Sequence, residues 1–335
     1  MLLTVEHLGI EFGPTNSPLV AVHDVGFSID SGEVLGLVGE SGSGKSLTSR
    51  AITKLIGSPA RIAAGSVTFE GRDVFKMSPK ELRSFRASNV GMIFQDPFTS
   101  LNPVFRVGAQ LSETLRLNKG IDRKQARQTA IRMLERVGIP RPEQHYLSYP
   151  HELSGGMRQR VMIALATAGK PTLLVADEPT TALDVLTQKE ILLLLSEMRR
   201  ELGMSILLVS HDFGVIAQMC DRVLVMYGGR IVESGPVDSI YHHPRHPYTR
   251  GLLASVPELE SANVFRRRAA LLGQPPELGI LRPGCVFMSR CPHAQSACHS
   301  VSMELEPAGA IHTSACPFET TELGTRVILA EAEVE

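Results

Sequence analysis

The sequence predicts an α/β fold with a mainly parallel sheet, followed by a small, irregular C-terminal module that carries cysteines. Three observations carry this prediction. Strand-like and helix-like segments alternate through residues 173–219. A glycine-rich turn at residues 39–46 lies between an apolar run and a helical stretch. Beyond about residue 255 the periodicity lapses and prolines punctuate the chain.

Composition sets the outer bounds. The 335 residues amount to roughly two domains' worth of chain. Apolar residues make up 43% and charged residues 21%, which disfavours a disordered chain and allows a sizeable core. Lys+Arg is 34 against 35 Asp+Glu, a net charge of -1, which disfavours a protein that coats nucleic acid. The N-terminal Met1-Leu2-Leu3-Thr4-Val5 reaches Glu6 at once, so no signal peptide is expected. No run approaches the ~18 apolar residues of a transmembrane helix. The chain is expected to be soluble and to meet a membrane only through a partner.

The elements follow in order. Residues 2–38 read as short β segments, with a loop from Phe12 to Pro18. Val34-Leu35-Gly36-Leu37-Val38 has the continuous apolar character of a buried strand. Residues 45–56 change period and predict a helix, and residues 79–145 are mostly helical. Asp122 is a good N-cap. Ala126, Ala130, Ile131, Met133, Leu134 and Val137 recur at helical spacing, and Gly138 ends the run. Strands are expected at 173–176 and 205–209, and helices at 184–202 and 212–219. Residues 222–226 and 230–233 flank Tyr227-Gly228-Gly229 as a hairpin. Division into domains at 1–255 and 256–335 is expected. The second stretch holds Pro257, Pro275, Pro276, Pro283, Pro292, Pro307 and Pro317 with four of the five cysteines.

Gly39-Glu40-Ser41-Gly42-Ser43-Gly44-Lys45-Ser46 matches G-x-x-x-x-G-K-[ST] in the strand–turn–helix context that gives the motif meaning. The backbone N–H groups of such a turn make an anion nest, and the following helix adds its dipole. Gly39, Ser41, Gly42, Ser43, Gly44, Lys45 and Ser46 are therefore candidate nucleotide-binding residues. Lys45 suits the β- and γ-phosphates, and the Ser46 hydroxyl suits Mg²⁺. The bland alternative is a glycine turn with a solvated lysine. Asp177 ends the apolar run 173–176, where α/β ligands gather, and suits Mg²⁺. Glu178 beside it suits a general base for an attacking water. The plain alternative is a pair of loop acids before Pro179.

Leu153-Ser154-Gly155-Gly156-Met157-Arg158-Gln159-Arg160 resembles the signature motif of ABC ATPases, although Met157 stands where Gln is common. Gln95 in Phe94-Gln95-Asp96-Pro97 resembles their Q-loop, and Ala182-Leu183-Asp184 their D-loop. His211 in Val209-Ser210-His211-Asp212 resembles their switch histidine. The resemblance covers about residues 1–250. It implies a P-loop NTPase cassette with a parallel-sheet core, an antiparallel β subdomain and a helical subdomain. It also implies ATP hydrolysis between two cassettes, with Ser154, Gly155 and Gly156 of one facing the phosphate loop of the other. Glu178, His211, Lys45 and Gln95 are then the catalytic set, and Ser46, Gln95 and Asp177 the Mg²⁺ set. Asp184, in the D-loop-like stretch, is then a further candidate nucleotide-binding residue. Phe12 either stacks on adenine or packs in the core. Ser154 is in any case a simple N-cap candidate.

Three further stretches resemble the di- and oligopeptide (and nickel) importer subfamily. They are Gln95 to Pro103, His246-Pro247-Tyr248-Thr249-Arg250-Gly251-Leu252-Leu253-Ala254, and the cysteine-bearing pattern at Gly284-Cys285, Arg290-Cys291-Pro292, Cys298 and Cys316-Pro317. The resemblance implies a second ATPase subunit as heterodimer partner, two membrane permeases, and an extracytoplasmic binding protein acting indirectly. It also implies a peripheral place on the cytoplasmic face of the inner membrane, and no nucleic acid. Cys285, Cys291, Cys298 and Cys316 are spaced C-x5-C-x6-C-x17-C. Some subfamily members carry a [4Fe-4S] cluster on such cysteines. Zinc and unmetallated thiols are the alternatives, and His293, His299 and His312 lie nearby. Cys220 reads as a buried small hydrophobe. Arg266-Arg267-Arg268 reads as a solvated face, with a contact to anionic lipid or to the partner as a minority reading. Two rivals to an importer ATPase stand: a soluble ABC ATPase acting on DNA or ribosomes, and a redox-sensing module.

Overall fold

The structure, a computed structural model, describes residues 1–14, 16–96, 100–181, 183–255, 273–274, 276, 279, 283–308 and 311–318. Pro97, Phe98, Thr99, Ala182, Pro257, Arg266, Arg267, Arg268 and Pro275 lie outside the described residues. The chain forms two compact units. One comprises Met1–Leu3, Ile29–Val34 and Phe69–Val209, and the other Thr4–Ser28, Leu35–Thr68 and Ser210–Glu335.

The first unit is built on three parallel strands, β6 (Val90–Ile93), β7 (Leu173–Asp177) and β8 (Ser205–Ser210), in the order β8-β7-β6. Every residue of β7 and β8 is buried. That is why Leu173-Leu174-Val175-Ala176 and Ile206-Leu207-Leu208-Val209 read as continuous apolar runs: a parallel strand is covered on both faces. Around them lie a two-residue strand β5 (Arg72–Asp73) and helices α2 (Pro79–Ser88), α3 (Val107–Lys119), α4 (Arg123–Arg136), α5 (Pro142–His145), α6 (Gly155–Thr167) and α7 (Val185–Leu202). The expected cap of α4 is present, with Gln125 N donating to Asp122 Oδ1 at 2.8 Å. Gly138 follows its end at φ 76, a conformation that suits a residue without a Cβ. The strand β6 interrupts a stretch whose composition reads as mostly helical.

The second unit holds β1 (Leu3–Phe12), β2 (Leu19–Ile29) and β4 (Ala60–Phe69), ordered β2-β1-β4. It also holds β3 (Val34–Val38), β9 (Arg222–Tyr227), β10 (Arg230–Pro236), β11 (Glu306–Pro307) and β12 (Thr313–Ser314), ordered β11-β12-β10-β9-β3. Its helices are α1 (Lys45–Ile52), α8 (Phe213–Met219), α9 (Val237–His242) and α10 (Pro247–Ala254). The pair β3–β9 is parallel, and β9–β10 is antiparallel with Tyr227 opposite Arg230. Gly228 and Gly229 take φ 55 and 80, the two positive values that a tight hairpin loop needs. The helix after the glycine turn stops at Ile52, short of the expected residue 56, and Lys54 follows at φ 52. Part of the C-terminal tail joins this unit's sheet. Glu233 and Ser234 of β10 pair with Ser314 and Thr313 of β12, an antiparallel addition at the edge. Cys220 is half-buried against Gly36, where a Cβ would lie 3.1 Å from its Sγ.

Candidate functional site

The turn at residues 39–46 folds into a ring closed by its own lysine. Lys45 Nζ donates to Gly39 O at 2.7 Å and to Glu40 O at 2.9 Å, and lies 3.5 Å from Ser43 Oγ. Lys45 is only 4% exposed, although the turn itself opens outward at Ser41 and Gly42. Two glycines are required sterically. A Cβ on Gly39 would stand 2.1 Å from Met226 O. One on Gly44, at φ 104, would meet Met226 Cε at 2.8 Å and Ala21 O at 3.1 Å. Gly42, by contrast, has open space beyond it, so that side of the turn has room for a group. Gly229 N donates to Ser43 O at 3.0 Å, so the β9–β10 hairpin holds the turn from behind. With the positive end of a helix beneath it, this is an anion cradle. Ser46 occupies the second position of α1.

Two residues absent from the sequence-based site also shape this loop. Glu40 N donates to the Tyr248 hydroxyl at 2.8 Å. Arg290 grips the Glu40 carboxylate with both arms, Nη1 to Oε2 at 2.6 Å and Nη2 to Oε1 at 3.0 Å. Tyr248 is fully buried, and burial pushes its phenol well above the usual range. The hydrogen bond to Glu40 holds the Arg290 guanidinium above its ordinary value. Both residues belong to distinctive stretches, His246–Ala254 and Arg290-Cys291-Pro292, but nothing local ties those stretches to residue 40.

The acids form their own cluster in the first unit. Asp177 ends β7, opposite Val209 of β8, and is completely buried. Glu178 follows at φ 50 and is 8% exposed. A left-handed backbone at a residue other than glycine is costly, and such strain gathers where a side chain must be aimed. Glu178 N donates to Val209 O at 2.9 Å, which fixes the turn. Its carboxylate receives two donors on one oxygen. Gln95 Nε2 reaches Oε2 at 3.1 Å, and Thr181 Oγ1 reaches the same atom at 2.9 Å. Gln95 and Glu178, expected from separate motifs, are thus direct partners. Thr181 lies outside every motif the sequence displays.

The signature stretch opens α6. Ser154 is its N-cap, with Met157 N donating to Ser154 Oγ at 3.3 Å. Ser154 and Gly155 are exposed, and a Cβ on Gly156 would meet Thr187 Cγ2 at 2.8 Å. Asp184 caps α7 by accepting from Thr187 N at 2.9 Å and from Thr187 Oγ1 at 2.7 Å. These bonds, the backbone one foremost, hold its carboxyl below the usual range. His211 is exposed just past the end of β8. Phe12 ends β1 half-buried.

Cys285, Cys291, Cys298 and Cys316 are not in disulfides. Burial pushes the Cys285, Cys291 and Cys316 thiols up, Cys291 to about 11, and the neighbouring cysteines add to each rise. Among the described residues, however, no group of three or more His, Cys, Asp or Glu is arranged to hold a metal ion. The expected iron–sulfur site finds no preformed ligand set among them. His312 of this tail is engaged elsewhere. Its Nε2 lies 2.7 Å from Glu233 Oε1, and Glu233 is fully buried.

Comparison with known proteins shows what the chain is similar to. The ABC transporter family matches residues 22–181, and the oligopeptide/dipeptide transporter C-terminal region matches residues 232–298. The chain is 47% identical over 300 residues to the oligopeptide transport ATP-binding protein OppD of Salmonella typhimurium, covering 90% of this chain and 89% of that protein. It is 48% identical over 307 residues to OppD of Bacillus subtilis, covering 91% and 84%. Among solved structures it resembles a dimeric ATP-binding cassette bound to ADP and Pi. There the TM-score is 0.64 and the identity 26%, covering 70% of this chain and 99% of that one.

Proposed function

We infer the workings of the site from one premise: this chain belongs to the ABC transporter family, and within it to the oligopeptide transport ATP-binding proteins, which makes it an ATPase that drives peptide uptake. The observation that carries the reading is a closed phosphate cradle at residues 39–46 in a chain that also holds a buried, doubly hydrogen-bonded Glu178. In this reading Gly39, Ser41, Gly42, Ser43, Gly44 and Lys45 bind the phosphates through backbone N–H groups and one ammonium. Lys45 exchanges the carbonyls of Gly39 and Glu40 for the γ-phosphate. Glu178 accepts the proton of the attacking water, while Gln95 and Thr181 hold its carboxylate in place. His211 supports the γ-phosphate.

The metal donors suit the ion. Ser46 hydroxyl, Gln95 carbonyl and the buried Asp177 carboxylate are hard oxygen ligands, as Mg²⁺ requires, and would hold it. When bound, Mg²⁺ neutralises phosphate charge.

A second cassette supplies Ser154, Gly155, Gly156 and Asp184 to complete the site. Support comes from the similar cassette solved as a dimer. The finer expectations are also part of the proposal: a sister ATPase as partner, two permeases, a binding protein acting indirectly, and a peripheral site at the inner membrane. Among the described residues no helix is long and apolar enough to cross a membrane. The division at 1–255 and 256–335 is kept as the boundary of cassette and extension. Phe12 is proposed as an adenine contact.

Glu178→Gln in the assembled transporter tests the catalytic reading. ATP binding should persist while turnover falls at least about a hundredfold. Hydrolysis at the wild-type rate would sink it. A [4Fe-4S] cluster on Cys285, Cys291, Cys298 and Cys316 rests on the resemblance of this cysteine pattern to the subfamily alone, since the described residues hold no preformed ligand set. Iron analysis and visible absorbance after anaerobic purification test it, and colourless, iron-free, folded protein would dismiss it.

A further inference from the structure

The nucleotide loop is gripped by the cysteine-bearing tail through one side chain. Arg290 lies between Cys285 and Cys291, yet its side chain is only 4% exposed and forms a two-armed pair with Glu40, the second residue of the loop. The fork is held in its plane. Nη1 also donates to the Tyr227 hydroxyl at 3.3 Å, and the guanidinium lies over the Tyr227 and Phe287 rings at 5.7 and 6.0 Å. Those rings are packed in turn. Tyr227 meets Phe287 edge-on at 5.2 Å and Tyr248 at 4.5 Å. Tyr248 accepts from Glu40 N.

Glu40 is thus held at its backbone by α10 and at its carboxylate by the tail. Its carbonyl also anchors Lys45. Surface ion pairs contribute little, because two long side chains must be ordered in water. This pair differs from those. Its arginine is buried, its geometry is bidentate and its aromatic walls restrict the guanidinium before Glu40 is engaged.

We propose that Arg290 is a positioning residue for the phosphate loop: its grip on Glu40 keeps residues 39–46 in the shape that receives the nucleotide, which makes the C-terminal module part of the ATP site. The inference rests on the reading of residues 39–46 as the ATP-binding loop. A loop that is already shaped avoids the ordering cost on binding, so losing the grip weakens affinity and leaves the chemical step alone.

The test uses the full-length chain for calorimetric binding of Mg-ATP, and the assembled transporter for KM and kcat. Arg290→Ala is expected to raise the ATP Kd and KM about tenfold with kcat changed less than about twofold. Glu40→Gln, which keeps the backbone contact to Tyr248, should act in the same direction, and adding it to Arg290→Ala should cost nothing further. Arg290→Lys should lie between, since an ammonium offers no fork. Unchanged Kd in folded Arg290→Ala, or a lowered Tm with unchanged Kd, would overturn the inference. So would additive single effects. If Arg290→Ala does not fold, Glu40→Gln decides: a raised Kd supports the inference and a wild-type Kd overturns it. Lys45→Ala serves as the control. Wild-type ATP affinity there would overturn the nucleotide reading itself. Unchanged affinity in Arg290→Ala beside a Lys45→Ala that no longer binds overturns this inference alone.

Discussion

Gln95 Nε2 donates to Glu178 Oε2 at 3.1 Å, joining a residue just past β6 to one just past β7. The same oxygen accepts from Thr181 Oγ1, so the orientation of the carboxylate depends on both donors. Thr181→Val removes one of them while preserving shape. Steady-state ATPase assays should show kcat down about three- to tenfold and KM for ATP within about twofold. A changed KM with unchanged kcat would contradict this role.

Gly39 faces Met226 O with no room for a side chain, since an added Cβ would lie 2.1 Å from that oxygen. Gly39→Ala must move β9 or the loop. Overpacking of this kind costs roughly 1–3 kcal/mol. Thermal unfolding should show a lower Tm, and calorimetry should show loss of ATP binding. A variant with wild-type Tm and affinity would show that the loop has slack.

His246 caps α10 with Nδ1, 3.2 Å from Tyr248 N, and desolvation holds its pKa down at about 4. The folded value lies below the ordinary 6.5, so the unfolded chain binds the proton first as pH falls. Stability is therefore fully present above about 6.5 and is lost progressively as pH drops toward about 4. The full loss is ~3 kcal/mol, from roughly 1.4 kcal/mol per unit. Tm measured from about pH 7 to pH 5 should fall in the wild type and fall less in His246→Asn, which keeps a capping oxygen. Equal slopes would refute it.

His312 meets the buried Glu233 at 2.7 Å, while Arg245 N and His246 N donate to the same carboxylate at 2.6 and 3.1 Å. His312→Leu takes one partner from a carboxylate that water does not reach, at a cost of about 1–3 kcal/mol. Limited proteolysis should then cut the chain around β12 sooner than in the wild type. Unchanged protection would show that β12 pairing alone secures the tail.

Local signals are the legible ones. The cradle at 39–46, the cap at Asp122, the Gly228-Gly229 hairpin and the buried strands β7 and β8 each depend on neighbours a few residues away, so composition and spacing reveal them. The strand β4 is hidden because Ala63, Ala64 and Gly65 are exposed and leave no alternation to read. The pairing of Arg290 with Glu40 spans 250 positions, and no periodicity reaches that far. Thr181 is a similar case on a smaller scale: its hydroxyl bonds the Glu178 carboxylate three residues back, a contact that no motif marks.

The hairpin at Gly228-Gly229 has a consequence for the order of synthesis. The loop at 39–46 emerges from the ribosome early, but Met226, Gly229, Tyr248 and Arg290, which shape it, emerge much later. A nascent chain of about two hundred residues carries the loop's letters without its contour. The loop therefore gains its full shape only in a nearly finished polypeptide, and a message cut short before Arg290 yields a product that lacks the last of its supports.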